Sequence, residues 1–189
     1  IWEIVEAAKT KPFGFMPFYP GPGLGGHCLP VDPRYLDWKL ETLNSESKFI
    51  KLSEEINFSM PGFVVCRIKD IFKNLNINNP KILILGLAYK PNVSDIRESP
   101  SIDIMKILDQ ENIKFTYNDP MVRSVEIEGQ IYKSQNIESE LLKNTDLTLI
   151  STDHSIYDWE YITDNSNYIF DTRNALRNIK KSKAIIFKL

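Results

Sequence analysis

No stretch of about 18 consecutive apolar residues, the length that spans a bilayer, occurs in the 189-residue sequence. The first residues lack the charged segment, apolar core and small-residue cleavage site of a secretion signal, so the expected location is the cytoplasm. An excess of either charge is also missing. Twenty-three Lys and Arg against 25 Asp and Glu leave a net charge of −2, which excludes the basic footprint of a nucleic-acid or anionic-membrane binder. Any polyanionic ligand must be met by a few local cations. Cysteine and histidine are scarce, with two of each. Their spacing provides neither a disulfide framework nor the close ligand pairs of a zinc site, so no metal is expected. What remains is ordinary globular composition, 42% hydrophobic and 25% charged, enough for one large or two small domains.

The chain opens on Ile1 without a methionine, and its first ten residues read as the end of a helix, with Ile4, Val5 and Ala8 at helical spacing before Lys11-Pro12. An upstream segment is therefore expected. Between Phe13 and Pro33 lie five glycines and five prolines, too many breakers for a helix or central strand, so this is a shaped loop of the kind usually retained for function. Helical spacing returns at Tyr35, Leu36, Leu40 and Leu43, and again from about Lys48 to Leu75, where Pro61-Gly62 is expected to kink or interrupt the helix. These apolar faces exceed what so thin a layer can cover, which implies a partner surface.

At Pro80 the pattern changes. Lys81 to Leu85 is a continuous apolar run suited to a buried parallel strand, followed by a polar loop and by Ile102, Ile104, Met105 and Leu108 at helical spacing. Further strands are predicted at Lys114–Tyr117, Asp146–Ser151, Tyr168–Asp171 and Ala184–Phe187, with helices at Ile137–Lys143 and Tyr157–Ile162. The alternation predicts an α/β class fold: a helical segment over residues 1–79, then a Rossmann-like, doubly wound parallel-sheet domain over 80–189.

The densest chemistry-bearing stretch is Phe18-Tyr19-Pro20-Gly21-Pro22-Gly23-Leu24-Gly25-Gly26-His27-Cys28, continuing to Asp32-Pro33. Its glycines permit close backbone approach to a ligand and its prolines fix the path. Cys28 stands just before a helix whose first turn is expected near Asp32 or Pro33, where the positive end of the helix dipole favours a thiolate. The bland alternative is a structural thiol in a turn. Asp32 is either a helix N-cap or a general base. Cys66, in the apolar stretch Gly62–Cys66, reads as inert core. A Cys-His hydrolase is a rival, although adjacent residues such as His27 and Cys28 rarely face each other and His154 is distant in sequence. The Gly21–Gly26 run imitates a dinucleotide-binding fingerprint, but it carries a proline and follows no strand.

With these residues in view the chain resembles the UDP-sugar 6-dehydrogenases, the UDP-glucose, UDP-N-acetylhexosamine and GDP-mannose 6-dehydrogenase family, in its central and C-terminal parts. Gly-Gly-x-Cys with an aspartate four residues on matches Cys28 and Asp32. Gly86–Pro91, Asp95–Ser101 and Phe170–Asn174 are similar to that family's nucleotide-sugar signatures. The resemblance implies an NAD-dependent, four-electron oxidation of a C6 alcohol to a carboxylate through a thiohemiacetal and a thioester on Cys28, with Asp32 acting on the hydrolytic water. It further implies substrate contacts from Phe18, Tyr19, Gly21, Gly25, Lys90 and Arg173, a cofactor contact from Arg97, and a homodimer through the central helices. The family's upstream lysine and asparagine, and its dinucleotide-binding domain, are not in this chain, so the segment by itself is expected to be inactive. The loop from Phe18 to Pro33, with Val31 where UDP-glucose enzymes more often carry lysine, resembles enzymes acting on UDP-N-acetylhexosamines; UDP-N-acetylglucosamine is the first expectation and UDP-N-acetylmannosamine the second. The alternatives are a UDP-glucose dehydrogenase and a non-catalytic UDP-sugar-binding or dimerisation protein.

Overall fold

A parallel sheet built from the second half of the chain organises the molecule, and the computed structural model describes residues 1–189 throughout. Helix α1 (Trp2–Lys9) leads into the long loop. Helices α2 (Cys28–Thr42) and α3 (Lys48–Leu75) follow, then β1 (Lys81–Leu85), α4 (Pro100–Gln110), β2 (Lys114–Asn118), the hairpin β3 (Ser124–Ile127) and β4 (Gln130–Lys133), α5 (Ser139–Lys143), β5 (Leu147–Ile150), α6 (Trp159–Asn165), β6 (Tyr168–Asp171) and β7 (Ile185–Lys188). The four later strands predicted from sequence are found within a residue or two of their expected limits. The β3–β4 hairpin was not foreseen: its strands are four residues each and its Glu128-Gly129 turn gives little apolar periodicity to read.

The five-stranded sheet has the order β2-β1-β5-β6-β7, and every neighbouring pair is parallel. From β1 the chain winds one way to β2, then crosses back to place β5 on the other side of β1. The carboxyl ends of β1 and β5 are thus the point at which the winding reverses, and crevices open there in doubly wound sheets. Alternation along β1 sets both faces. Ile82 and Ile84 enter a core with Val64, Val65, Ile68, Ile71 and Phe72 of α3 and Ile104, Met105 and Leu108 of α4. Leu83 and Leu85 enter a second core with Leu142 of α5 and Ile162 of α6. The C-terminal half of α3 is therefore one covering layer of the α/β unit.

Local signals fix the element ends. Pro100 starts α4 at a position where the missing N–H costs nothing, and the Ser99 side chain accepts from Ser101 N. Asp158 caps α6 by accepting from Tyr161 N at 2.9 Å. Asn76 ends α3 in the left-handed region, φ 53°.

Three expectations are corrected. Helix α3 is not interrupted at Pro61; because Pro61 has no N–H, the Asn57 carbonyl lacks its helical donor, and it faces Gly23 of the loop. Cys66 is exposed rather than buried, since the apolar stretch Gly62–Cys66 winds around a helix and only Val64 and Val65 turn inward. Helix α2 begins at Cys28, four residues before the expected first turn at Asp32.

The five inward residues of α3 contribute roughly 1.5–3 kcal/mol each in gross burial, which anchors its second half. Its first half and α2 have no such anchor. Helix α2 buries no residue, while Phe49 is 88% and Trp38 63% exposed, so an apolar face lies open along both helices.

Candidate active site

The loop between α1 and α2 is fastened at both ends. Near its start, Tyr19 Oη donates to Glu6 Oε1 at 2.8 Å and receives Lys9 Nζ at 3.3 Å, and its ring stacks on Trp2 at 6.1 Å. Phe18 beside it is largely exposed. Towards its end, Gly26 N donates to the Arg97 carbonyl at 2.9 Å, and a Cβ at Gly26 would stand 2.8 Å from the Tyr89 ring. The left-handed φ of 88° at Gly26 and this close approach both require glycine. Gly25 presses on the Glu98 carbonyl and on Tyr89, and Gly21 lies directly over the Arg173 guanidinium. The glycines therefore let the loop dock on the carboxyl edge of the sheet, a use that composition alone did not reveal. Gly21→Ala should force Arg173 aside at a cost of about 1–3 kcal/mol; an unchanged denaturant midpoint would show that this approach is unimportant.

Docking brings the thiol to that edge. Cys28 is exposed and is the first residue of α2, whose N-cap His27 makes no side-chain cap. The first-turn N–H groups are thus open to an anion. Asp32, four residues on, shares the Cys28 face, and one atom each of His27, Cys28 and Asp32 lie within 4.8 Å of one another. His27 Nδ1 is 3.5 Å from Asp32 Oδ1. Two expectations change here. Asp32 is in the body of the helix, not its cap, and His27 faces Cys28 and Asp32 although it is adjacent in sequence, because the turn into the helix folds its ring over the first turn. The same trio offers a thiol, an imidazole and a carboxylate to a cation, a ligand set the sequence spacing did not suggest.

The predicted cations follow the carboxyl ends of β1 and β6. Arg173 follows β6; its Nε donates to Ser151 O, at the end of β5, at 2.8 Å, and its N–H donates to Asp171 Oδ1 at 3.0 Å. Burial pushes the Arg173 pKa down, while neighbouring Asp153 works against that shift; the guanidinium keeps its charge. Arg97 grips Asp95 through Nε and Nη2, the latter at 2.6 Å. That bidentate contact, with a backbone N–H, holds Asp95 down at about 2. Lys90 is exposed, its Nζ 5.4 Å from the centre of the Tyr89 ring. Phe18 and Tyr19 sit instead beside α1.

A cavity of about 460 Å³ opens next to this site, between Leu29 and Pro33 of α2, Phe49 and Phe58 of α3, and Glu98. The Cys28 side chain does not line it, so the cavity and the thiol are separate features. No helix is long and apolar enough to cross a membrane.

Sequence reasoning missed a buried polar cluster behind the site, centred on Asp119 and His154. Both follow predicted strands, where a polar residue at a carboxyl end is a readable signal.

Known proteins are similar to this chain in sequence and in fold. Residues 1–59 match the central domain of the UDP-glucose/GDP-mannose dehydrogenase family, and residues 83–178 match that family's UDP binding domain. A UDP-N-acetyl-D-mannosamine dehydrogenase from Methanococcus vannielii is 34% identical across 100% of this chain and 44% of its own length. One from Campylobacter jejuni is 35% identical over 82% of this chain and 37% of its own. Among solved structures, a UDP-D-ManNAc dehydrogenase from Pyrococcus horikoshii superposes with a TM-score of 0.81 at 28% identity, covering 99% of this chain and 43% of that one. A UDP-N-acetyl-mannosamine dehydrogenase from Staphylococcus aureus does so with a TM-score of 0.74 at 35% identity, again over 99% and 43%. The chain thus spans under half the length of these relatives, and over that span it belongs to the UDP-glucose/GDP-mannose dehydrogenase family.

Proposed function

We propose that this chain supplies the catalytic thiol and the nucleotide-sugar site of an NAD-dependent dehydrogenase that converts the C6 alcohol of a UDP-N-acetylhexosamine to a carboxylate. The observation that carries this reading is an exposed cysteine at a helix start, beside a carboxylate, tied by its loop to the carboxyl edge of a parallel sheet. The names of the relatives favour UDP-N-acetylmannosamine over UDP-N-acetylglucosamine, reversing the expected order. The activity is proposed for a cytoplasmic protein that contains this segment together with a dinucleotide-binding domain. The open apolar faces of α2 and α3 support a homodimer through these helices.

In this reading Lys90 and Arg173 bind the diphosphate and nucleotide, and the loop from Gly21 to Gly25 lies over the sugar. When C6 is at the aldehyde level, the Cys28 thiolate adds to its carbon, and the resulting oxyanion takes a proton to give a thiohemiacetal. Loss of hydride from that carbon, with the hydroxyl proton released, leaves a thioester. Asp32 takes a proton from the water that attacks it; the C–S bond breaks, and the sulfur leaves as a thiolate. The chemistry supplied by NAD is acceptance of the two hydrides. Of this chain's residues Arg97 fits a contact with it, being exposed with Nη1 unbonded; no strand here leads into a dinucleotide-binding glycine turn.

The test is to assay the full-length protein against UDP-sugars while following NADH. Two NADH per sugar, with UDP-N-acetylmannosamine the best substrate, are expected. Turnover of UDP-glucose alone would replace the substrate, and no turnover of any UDP-sugar would leave a binding protein. Lys90→Ala and Arg173→Ala should each weaken UDP affinity about ten- to a hundredfold by removing a charge-assisted contact, read by calorimetry.

A further inference from the structure

A buried hydrogen-bond relay ties the Lys90 turn to the body of the sheet, and no step proposed above uses it. Asp119, directly after β2, is almost fully buried. Its Oδ2 accepts from Leu87 N at 2.6 Å, from Ala88 N at 2.9 Å and from His154 Nε2 at 3.0 Å. Its Oδ1 accepts from Met121 N at 2.7 Å and Val122 N at 3.0 Å. His154, in the loop after β5, is completely buried. Its Nδ1 lies 3.0 Å from Asn92 N. A backbone N–H can only donate, so Nδ1 is unprotonated and the ring proton is on Nε2, directed at Asp119. The two nitrogens of one imidazole thus join two elements: the end of β2 on one side, and the turn carrying Lys90 and Asn92 on the other. Outside the core the tie is doubled, because Asn92 Oδ1 accepts from Ser155 N at 3.0 Å and from Ser155 Oγ at 2.9 Å.

The rest of the turn is pinned as well. Thr152 Oγ1 donates to Ala88 O at 2.6 Å, and Ser99 Oγ donates to Leu87 O at 2.7 Å. Residues 87, 88 and 92 are therefore fixed from β2, α4 and the β5 loop, while Lys90 between them is free at its tip. A lysine is a flexible point charge; the entropy lost when it closes on a phosphate depends on how well its backbone is already placed. Buried polar groups with every partner satisfied rigidify what they join.

We propose that His154 is a positioning residue for nucleotide-diphosphate binding, acting through Asn92 to hold the turn on which Lys90 stands. This rests on the reading of Lys90 as a diphosphate ligand. The two ring nitrogens can be removed separately. In His154→Gln the amide can still donate to Asp119 from near the Nε2 position while the acceptor for Asn92 N is lost. In His154→Asn the amide oxygen can replace Nδ1 towards Asn92 while the donor to Asp119 is lost. Positioning predicts that His154→Gln loses UDP affinity about three- to tenfold and that His154→Asn retains most of it. A purely structural role predicts instead that affinity is unchanged in both wherever circular dichroism shows them folded.

The decisive measurement is a double-mutant cycle on the purified protein with UDP as the titrant. In the Lys90→Ala background, His154→Gln should cost nothing further, because the residue it places is gone. Asn92→Gly, at an exposed site whose φ of 62° glycine adopts freely, breaks the Ser155 tie without touching the core. Because its backbone N–H still meets His154 Nδ1, it should show a smaller loss with the same dependence on Lys90, which tests whether the fixed turn serves Lys90 if the His154 variants do not fold. Losses that add to that of Lys90→Ala, or no loss from Asn92→Gly and His154→Gln in folded protein, overturn the positioning role while the Lys90 assignment stands. If Lys90→Ala itself binds UDP normally, the assignment and the positioning role fall together.

Discussion

Replacing Cys28 by alanine should abolish uronate formation, with a loss of roughly a thousandfold or more in the rate of the four-electron reaction, while UDP affinity stays within about twofold because no binding contact is assigned to the sulfur. The size of the effect follows from the chemistry. An aldehyde carbon has no good route to a second hydride loss until a nucleophile makes it tetrahedral, and the side chain placed for this is an exposed thiol at the first residue of α2. Cys28→Ser keeps a nucleophilic atom but forms an oxygen ester, which water cleaves more slowly than a thioester. Mass spectrometry of that variant incubated with UDP-sugar and NAD should find a covalent adduct. Normal turnover by Cys28→Ala would remove the covalent step from the mechanism, whatever the substrate.

The second large effect is on stability. Asp119→Ala strands three buried backbone N–H groups, the partly buried Met121 N–H and the His154 Nε2 donor at once. Each unsatisfied buried donor costs on the order of 1–3 kcal/mol when water cannot reach it, and partial hydration of the space left behind reduces the sum to about 3–5 kcal/mol. A denaturant midpoint within about 1 kcal/mol of the parent would show that the cluster is not a stabilising centre. The pH dependence has a definite sign. Burial works to raise the Asp119 pKa, but the His154 contact and the Ala88, Leu87 and Met121 N–H groups outweigh it and hold the carboxyl below its ordinary 3.8. A carboxylate whose folded-state value is depressed contributes stability that is present above the unfolded value and is lost as pH falls through the folded one. The parent should therefore lose stability more steeply than Asp119→Ala below about pH 4.

The two effects lie on different links of the same chain of causes. In the proposed mechanism Cys28 acts at the reacting carbon, and its replacement should leave folding alone. Asp119 touches no substrate, yet the strand ends it joins carry Lys90 and, through the loop docked on Tyr89 and Arg97, the segment that leads to Cys28. A fold defect there should reach the site as lost affinity.

Much of this was legible in the sequence because it rests on local physics. Continuous apolar runs mark parallel strands buried on both faces, so β1, β5 and β6 could be read directly. The 28-residue α3 was read by its periodicity to the correct ends, and the breaker-rich loop around Cys28 was recognisable as shaped and chemical. The same local reading erred where a side chain's environment depends on what packs against it. It buried Cys66 in an apolar stretch, but a helix turns adjacent residues to different sides, and the sheet meets only one of them. It started α2 at Asp32, but the helix begins at Cys28, even with Pro30 in its first turn, where a missing N–H breaks no helical bond.

The amino-acid order by itself determined which runs become strands and helices, because propensity, periodicity and breaker residues act over a few positions. Only the tertiary structure decided that Gly21 lies on Arg173 and Gly26 on Tyr89, that His27 turns towards Cys28 and Asp32, and that Asp119 meets a histidine 35 residues away. Those contacts join segments far apart along the chain, and they exist because sheet winding carries the carboxyl ends of β1, β2, β5 and β6 to a common edge.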